Sequence, residues 1–238
     1  MGYSTATVMA DPDLMPTTIV KRPRDARLDW SLLAEYRAEV PDAILRVPLR
    51  WSTLYDAFAS EVAPTARVLD VGANNREMDR QLRARGFRGT YRSMDVSSGT
   101  AHDYVDLADV QETFDVVTLK EVAEHLTIAE LRAAVDHARR VLVPGGRLVL
   151  STPNPHCVVS WQAWDMTHVQ HYPYQDLHAL LRLAGFEVRI TRLAEPIFGL
   201  GLRLPLRLLQ HAYRLVHVHC FRPTDFAGTL FAVATRIA

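Results

Sequence analysis

The strongest chemical signal in the sequence is a glycine-containing turn after one predicted strand and an acidic residue at the end of the next. Residues 67–75, RVLDVGANN, predict a buried strand that ends in a turn at Gly72, and residues 91–95, YRSMD, predict a strand that ends at Asp95. Gly72 lets the backbone approach a ligand closely, and an acidic residue about 20 positions beyond such a turn accepts hydrogen bonds from ribose hydroxyls. The spacing therefore predicts a site for a nucleoside-containing cofactor.

A second group of polar side chains, Asp165, His168, His171 and Tyr172, forms the densest set of titratable residues in the chain. Three interpretations stay open. The carboxylate and the imidazoles are suitable metal ligands, but their spacing defines no complete ligand set, so no metal is assigned. They can also stabilise a loop, or supply a base that deprotonates an acceptor, since neutral histidine suits that task near pH 7. On the last interpretation, His168 and His171 are the candidate catalytic residues.

The elements that must position these residues alternate between strands and helices along the chain. Strands are predicted at 67–71, 90–95, around 104–107, at 114–120, 147–152, 186–193 and 229–236, and helices at 76–85, 128–142 and 175–184. In open α/β sheets, ligands bind at the carboxyl ends of the strands. The binding residues predicted at that edge are Asp70, Gly72, Asn74, Asp95 and Lys120.

Four blocks of sequence, taken in order, resemble the class I S-adenosylmethionine-dependent methyltransferases that act on small molecules. Those enzymes carry VLDxGxGxG, an acidic end to the second strand, FDxVxxxxxxEHL and LxPGGxLxxSTPN, and corresponding residues occur here at 67–75, at Asp95, at 114–126 and at 142–154. A fifth block, residues 164–186, resembles the DxxHxxxY…L…aGF stretch of the family. The resemblance covers about 45–193 and 228–236.

The resemblance implies a Rossmann-like, seven-stranded α/β methyltransferase fold with a mostly parallel sheet and an antiparallel final strand. It also implies S-adenosylmethionine as the cofactor. Asp106 and Leu107 resemble the family's pair in which the carboxylate takes the adenine amino group and the apolar neighbour packs on the ring.

The glycine turn departs from the family pattern, because Asn74 and Arg76 stand where the second and third glycines are expected. Asn adopts left-handed backbone at modest cost. Arg76 either pairs with the methionine carboxylate of the cofactor or partly blocks its pocket, and both outcomes stay open.

Composition and charge limit the classes of substrate and partner that we expect for this protein. The chain has 238 residues, a formal net charge of zero and no tract of massed basic residues, which argues against a nucleic-acid substrate. Cys157 and Cys220 show no CxxC spacing, as expected in a reducing compartment. No apolar stretch is long enough to span a bilayer and no signal-peptide pattern is present, so we expect a cytoplasmic protein.

We predict a flexible tail over residues 1–27 and a single methyltransferase domain over 28–238. Within that domain, 28–62 is predicted to form accessory helices, from apolar positions that recur at helical spacing. An apolar and basic insertion at 196–225 is predicted to pack on the core or cover the acceptor pocket, with peripheral membrane contact as an open alternative. The sequence indicates no oligomeric state.

The predicted function is transfer of a methyl group from S-adenosylmethionine to a small, fairly apolar molecule, at oxygen. Two alternatives stay open. One is a protein with this fold that binds ligands or partners without transferring methyl groups. The other is a nicotinamide-dependent oxidoreductase, which is disfavoured because the sequence after the strand at 147–152 does not continue into a second mononucleotide-binding half.

Overall fold

One seven-stranded sheet organises the computed structural model, which describes residues 30–157, 165–194, 212, 216 and 225–237. The strands are β1 (Leu49–Trp51), β2 (Arg67–Val71), β3 (Thr90–Met94), β4 (Phe114–Lys120), β5 (Leu142–Pro153), β6 (Phe186–Ala194) and β7 (Thr229–Arg236). The helices are α1 (Trp30–Ala38), α2 (Leu54–Ala59), α3 (Glu77–Ala84), α4 (Ile128–Val141) and α5 (Tyr174–Leu183). No helix in these described ranges is long and apolar enough to cross a membrane.

The strand order is β1-β6-β7-β5-β4-β2-β3, and β7 runs antiparallel to both of its neighbours while the other pairs are parallel. This confirms the predicted mostly parallel sheet with an antiparallel final strand. The crossovers β2–α3–β3 and β4–α4–β5 bring the carboxyl ends of β2, β3, β4 and β5 to one edge, where the candidate binding residues lie.

Helices cover both faces of the sheet. Consecutive residues of a strand point to opposite faces, so the buried strands pack against helices on both sides. On one face Leu69 packs in a cluster with α4 and α5, and on the other Val68 packs in a cluster with α2 and α3. The helix α4 begins at a capping box in which Thr127 and Glu130 bond each other's backbone N–H groups. Because the start of α4 is fixed, the turn that connects the end of β4 to α4 is held in place as well.

The strand predicted around 104–107 does not form, and this prediction was wrong. Only a single bridge joins Tyr104 to Met94, and a 3₁₀ turn follows at Leu107–Asp109. Polar side chains replace the ladder: the Asp103 carboxylate accepts from the backbone N–H of Ser93 at 2.9 Å, and Asp106 caps the turn. This segment nevertheless covers the outer side of β3, since Tyr104 also exchanges backbone hydrogen bonds with Ser93 and Asp95.

The segment 28–62 contains helices α1 and α2 and also a strand that the helical spacing did not indicate. β1 pairs in parallel with residues 192–194 of β6 and forms one edge of the sheet. The predicted tail at 1–27 lies outside the described residues, and so does nearly all of the predicted insertion at 196–225.

A fully buried ion pair lies where four chain segments meet. The guanidinium of Arg192 donates to Asp225 Oδ1 at 2.7 Å, and both residues are 0% exposed. Arg192 also donates to the carbonyl oxygens of Val47 and Leu45, at 2.9 and 3.1 Å. The second carboxylate oxygen of Asp225 accepts from the side-chain amide of Asn154, at 2.9 Å. Every charge is therefore met by hydrogen bonds, which a buried pair requires.

Removing one partner of this pair should destabilise the fold strongly. Arg192→Met leaves Asp225 buried without its cation, which should lower the free energy of unfolding by about 3–5 kcal/mol in urea titration. Arg46→Met is the control, because the Arg46 side chain is 71% exposed and pairs with the exposed Asp42 at the surface. That control should cost less than about 1 kcal/mol. Equal losses in the two variants would contradict this account.

Candidate active site

The turn after β2 is packed so closely that it requires glycine. Gly72 has a φ of +75°, and a Cβ at this position would lie 2.4 Å from Cγ2 of Val122. The backbone N–H groups of Gly72 and Ala73 both donate to the carbonyl oxygen of Met94, at 2.9 and 3.1 Å. The turn is thereby fixed against the end of β3.

Asp95 lies directly beside this turn. Its carboxylate accepts from the backbone N–H of Asn74 at 2.7 Å and from that of Ser97 at 2.8 Å. Partial burial raises the pKa of Asp95, but the hydrogen bonds from Ser97 and Asn74 outweigh it and hold the pKa below its ordinary value. Asp95 is therefore ionised at neutral pH, and each oxygen retains a lone pair that can accept from a ligand hydroxyl.

Asn74 and Arg76 keep the backbone conformation that glycine would adopt, with φ of 45° and 57°. The guanidinium of Arg76 lies over the ring of Tyr91, 5.5 Å from its centroid, and 3.8 Å from Asp103 Oδ2. Protein groups on the β3 side of the turn therefore hold this side chain. The loss of two glycines leaves the course of the turn intact.

Asp70 is buried beneath the turn. Its carboxylate accepts from the hydroxyl of Tyr91 on β3 at 2.5 Å and from that of Thr118 on β4 at 2.7 Å. Burial raises the pKa of Asp70 to about 6, although both hydroxyls favour the ionised form. Asp70 therefore joins three adjacent strands and positions the turn.

Lys120 is partly exposed at the end of β4, and its ammonium lies 5.7 Å from the ring centroid of Tyr55. Its charge helps to keep the pKa of Asp70 from rising further. Asp106 is exposed and its carboxylate accepts from the N–H of Ala108, while Leu107 packs against the core. No hydrogen bond within the described ranges joins Asp106 to the turn at Gly72.

A second group of titratable side chains lies where β4 ends. Glu121 adopts left-handed backbone, with a φ of 52°, and its Oε1 is inaccessible to solvent without a hydrogen-bond partner among the described residues. Burial and the charge of Glu124 raise the pKa of Glu121 to about 7. Strained backbone and a strongly shifted carboxyl group are features that concentrate at functional sites.

His168 joins this group from the loop after β5. Its side chain is 8% exposed, and its ring contacts that of His125 edge to face, with centroids 4.9 Å apart. The buried Glu124 accepts from Thr152 Oγ1 at 3.0 Å. Ligand atoms of Glu124, His125 and His168 all lie within 4.8 Å of one another. We call these three residues the Glu–His–His cluster.

The other members of the predicted polar set are His171, Tyr172 and Asp165, and of these Asp165 lies next to His168. The side chain of His171 is exposed, and the Tyr172 hydroxyl donates to the carbonyl oxygen of Leu126 at 2.9 Å, which stabilises the loop. Asp165 accepts from Thr167 Oγ1 at 2.6 Å, and its other oxygen lies 3.8 Å from His168 Nε2. The structure thus separates His168 from His171.

Glu124 and His125 are not among the site residues predicted from the sequence. The available signal was the spacing Glu121-x-x-Glu124-His125 directly after a buried strand, which places three titratable side chains at the edge where ligands bind. Nothing in the sequence indicates that His168 returns to this turn.

A concavity of about 390 Å³ lies at the opposite edge of the sheet, between the start of the β5 region and the residues before β2. It is lined by polar and small residues that include Thr65, Asp115 and Arg147. Ligands of open parallel sheets bind at the carboxyl ends of strands rather than at this edge. We therefore place the active site at Gly72, Asp95 and the end of β4.

Comparison with known proteins identifies the family of this chain. The sequence matches the family model described as a methyltransferase domain over residues 42–190. The fold is similar to an S-adenosylmethionine-dependent methyltransferase from Archaeoglobus fulgidus, with a TM-score of 0.59 and 16% identity over 87% of this chain and 100% of that one. No curated protein sequence matches this chain significantly.

Two further solved structures share the fold. Magnesium protoporphyrin IX methyltransferase from Synechocystis with bound SAH has a TM-score of 0.50 and 16% identity, over 76% of this chain and 81% of its own. An S-adenosylmethionine-dependent methyltransferase from Mesorhizobium loti has a TM-score of 0.50 and 17% identity, over 78% and 98%. The chain belongs to the methyltransferase domain family, and its cofactor is S-adenosylmethionine.

The residues at the carboxyl edge fit that cofactor. Gly72 places no side chain at the turn, Asp95 is ionised with free lone pairs, and the Arg76 guanidinium contacts Tyr91 and Asp103. The predicted fold class and cofactor are thereby confirmed.

Burial of Asp70 makes stability depend on pH. Its pKa is about 6 in the folded protein, against an ordinary value of 3.8, so the folded state binds more protons between these values and stability falls as pH rises through them. At 1.36 kcal/mol per unit, this one group lowers the free energy of unfolding by about 3 kcal/mol between pH 3 and 7. Asp70→Asn should remove that part of the decline, measured by urea unfolding at several pH values. If the free energy of unfolding changed with pH in the same way in the variant and in the wild type, this account of Asp70 would be refuted.

Proposed function

We propose that this protein transfers the methyl group of S-adenosylmethionine to a hydroxyl oxygen of a small, largely apolar acceptor. The observation that carries this proposal is the buried group of Glu121, Glu124 and His168 beside the cofactor edge. Methyl transfer needs a proton acceptor only if the nucleophile carries a proton, as an alcohol or a phenol does. A site that methylates a carboxylate would have no use for these groups.

The cofactor residues follow from the geometry of the edge. The Asp95 carboxylate would accept from the ribose hydroxyls, as acidic residues at this place do in nucleotide-binding folds. The backbone of Gly72 and Asn74 would lie along the cofactor, and the Lys120 ammonium would pair with its carboxylate. By the family resemblance, Asp106 and Leu107 would contact the adenine.

The cofactor supplies an electrophilic methyl group on a sulfonium. The protein must align the acceptor oxygen with that methyl and exclude water, and positioning can contribute several kcal/mol to the rate. His168 is placed to act on the acceptor proton because its ring is nearly buried at the carboxyl edge. His171 is exposed, so we assign the role to His168 rather than to both histidines.

Two observations support a small, apolar acceptor. Met166 and Val169 flank His168 in sequence and are 95% and 59% exposed, so they offer apolar surface beside the site. The formal net charge of zero provides no electrostatic attraction for nucleic acid. The apolar sequence of residues 196–225 is consistent with a further apolar wall for the acceptor.

The alternative of a protein that binds without transferring methyl groups was motivated by the altered glycine turn. The left-handed backbone at Asn74 and Arg76 removes that motivation, because the turn keeps its course. The family membership likewise speaks against a nicotinamide-dependent oxidoreductase. A screen of phenols, alcohols, amines and carboxylic acids with methyl-labelled cofactor tests the proposal, and methylation confined to amines or carboxylates would overturn the assignment to a hydroxyl oxygen.

Asp95→Ala should weaken binding of S-adenosylmethionine, measured by calorimetry. A hydrogen bond to a charged group contributes about 1.5–3 kcal/mol, and about 1.4 kcal/mol is tenfold in affinity, so the dissociation constant should rise at least about tenfold. Asp109→Ala, an exposed carboxylate near the same edge, is the control and should bind as the wild type does. Unchanged affinity in Asp95→Ala would remove Asp95 from the cofactor site.

His168→Ala should lower turnover by about 10²–10⁴-fold with an acceptor found in the screen, because a group that assists proton removal is lost. Cofactor affinity and the melting temperature should change little. His171→Ala is the matched control in the same loop and should retain nearly full turnover. A loss of turnover in His171→Ala that equals the loss in His168→Ala would contradict this assignment.

A further inference from the structure

The Glu–His–His cluster brings metal-ligating side chains from two separate segments together. Glu124 and His125 lie in the turn after β4, and His168 lies in the loop after β5. One ligand atom from each lies within 4.8 Å of the other two. Ligands at about 2 Å from a metal ion lie about 3–4 Å from one another, so small side-chain adjustments would place all three around one ion.

The protein orients His125 as metal-binding proteins orient their histidines. His125 Nδ1 lies 3.2 Å from the carbonyl oxygen of Thr167 and 3.1 Å from its hydroxyl. A carbonyl oxygen only accepts, and the Thr167 hydroxyl already donates to Asp165, so both contacts assign the ring proton to Nδ1. Nε2 is then unprotonated and free to ligate, with an outer hydrogen bond that fixes the ring.

The two segments are also tied to each other by backbone. The carbonyl oxygen of Glu124 accepts from the N–H groups of Val169 and Gln170, at 2.9 and 3.2 Å. The Glu124 side chain is held from the other side by Thr152. Ligands on a fixed framework lose little conformational entropy when an ion binds.

Two buried polar atoms beside the cluster lack a hydrogen-bond partner within the described part of the chain. One is Nδ1 of His168, whose side chain is 8% exposed, and the other is Oε1 of Glu121. Leaving such a buried group unpaired is unfavourable. A ligand at the cluster would satisfy His168 and offset the negative charge of Glu121 and Glu124, which lie close enough to influence each other.

We infer that Glu124, His125 and His168 form a binding site for one divalent transition-metal ion. Two imidazoles and a carboxylate favour Zn²⁺, Fe²⁺ or Mn²⁺, whereas Ca²⁺ and Mg²⁺ prefer sites made of oxygen ligands. Three protein ligands leave at least one coordination position for water or for the acceptor. The exposed side of His125 provides access from solvent.

What the ion does rests on the proposed function, but whether it binds does not. At the open position it would take the acceptor oxygen and make its hydroxyl easier to deprotonate, and the proton would pass to a neighbouring carboxylate such as that of Glu121. His168 would then act as a ligand. The transfer is redox-neutral, because an oxygen electron pair forms the new C–O bond while the electrons of the broken S–C bond stay on sulfur.

The test uses the full-length protein, freed of metal by a chelator and titrated with ZnCl₂, MnCl₂ or CoCl₂ in calorimetry without cofactor or acceptor. We expect one ion per chain and, with Co²⁺, the visible absorption of a ligand field that includes nitrogen. Glu124→Gln, His125→Ala and His168→Ala should each weaken binding by at least about tenfold, since even an outer-shell partner accounts for about 10–100-fold. His171→Ala should bind as the wild type does.

Melting curves separate lost binding from lost folding. The ion should raise the melting temperature of the wild type and of His171→Ala, but not that of the three ligand variants. His125→Ala decides the matter if a buried variant fails to fold, because His125 is exposed. No stoichiometric binding by the wild type, or undiminished binding by His125→Ala, would overturn the site. If the ion binds but methyl transfer persists after chelation, the proposed role of the ion is refuted. If S-adenosylmethionine does not bind, the proposed function is refuted instead.

Discussion

The buried ion pair between Arg192 and Asp225 is the constraint on which the rest of the structure depends. Two charges removed from water are tolerable only if each of their polar atoms has a partner, and here those partners come from the segment before β1, from β6, from the entry to β7 and from the end of β5. Asn154 is the link to function, because the loop that carries His168 begins shortly after it. The charge pair thus sets where that loop leaves the sheet.

Strained backbone is concentrated at the candidate cofactor edge and at the end of β4. Within the described ranges, the non-glycine residues with positive φ are Asn74, Arg76 and Glu121. Such conformations cost of order 1–3 kcal/mol each and persist only when surrounding contacts impose them. The contacts are visible in each case, since Met94 fixes the turn that contains Asn74, and Ser151 accepts from the N–H of Glu121. Cofactor edge and Glu–His–His cluster are therefore held in place before any ligand arrives.

The sequence was most informative where function and local chain geometry coincide. The buried runs of β2, β4 and β5 and the contact between Asn74 and Asp95 follow from two βαβ units, β2–α3–β3 and β4–α4–β5, whose connections are short and of fixed hand. The failed strand at 104–107 shows how polar side chains such as Asp103 can replace a ladder that the pattern permits. The partnership of His125 with Thr167 spans 42 residues, and that of Arg192 with Asp225 spans 33, so no local pattern could indicate either. The altered turn needed the structure as well, because only side-chain placement reveals where Arg76 goes.

The two edges of the sheet have a consequence for how the protein behaves at high concentration. An exposed edge strand offers free N–H and C=O groups to any other extended chain and so invites aggregation. At one edge β1 is only three residues long. At the other, Tyr104 and the Asp103 carboxylate already occupy backbone groups of β3. Few backbone groups at these edges are left for a strand of another molecule to pair with. The segment around 104–107, which does not form a strand, thus protects the sheet from polymerising through its edge.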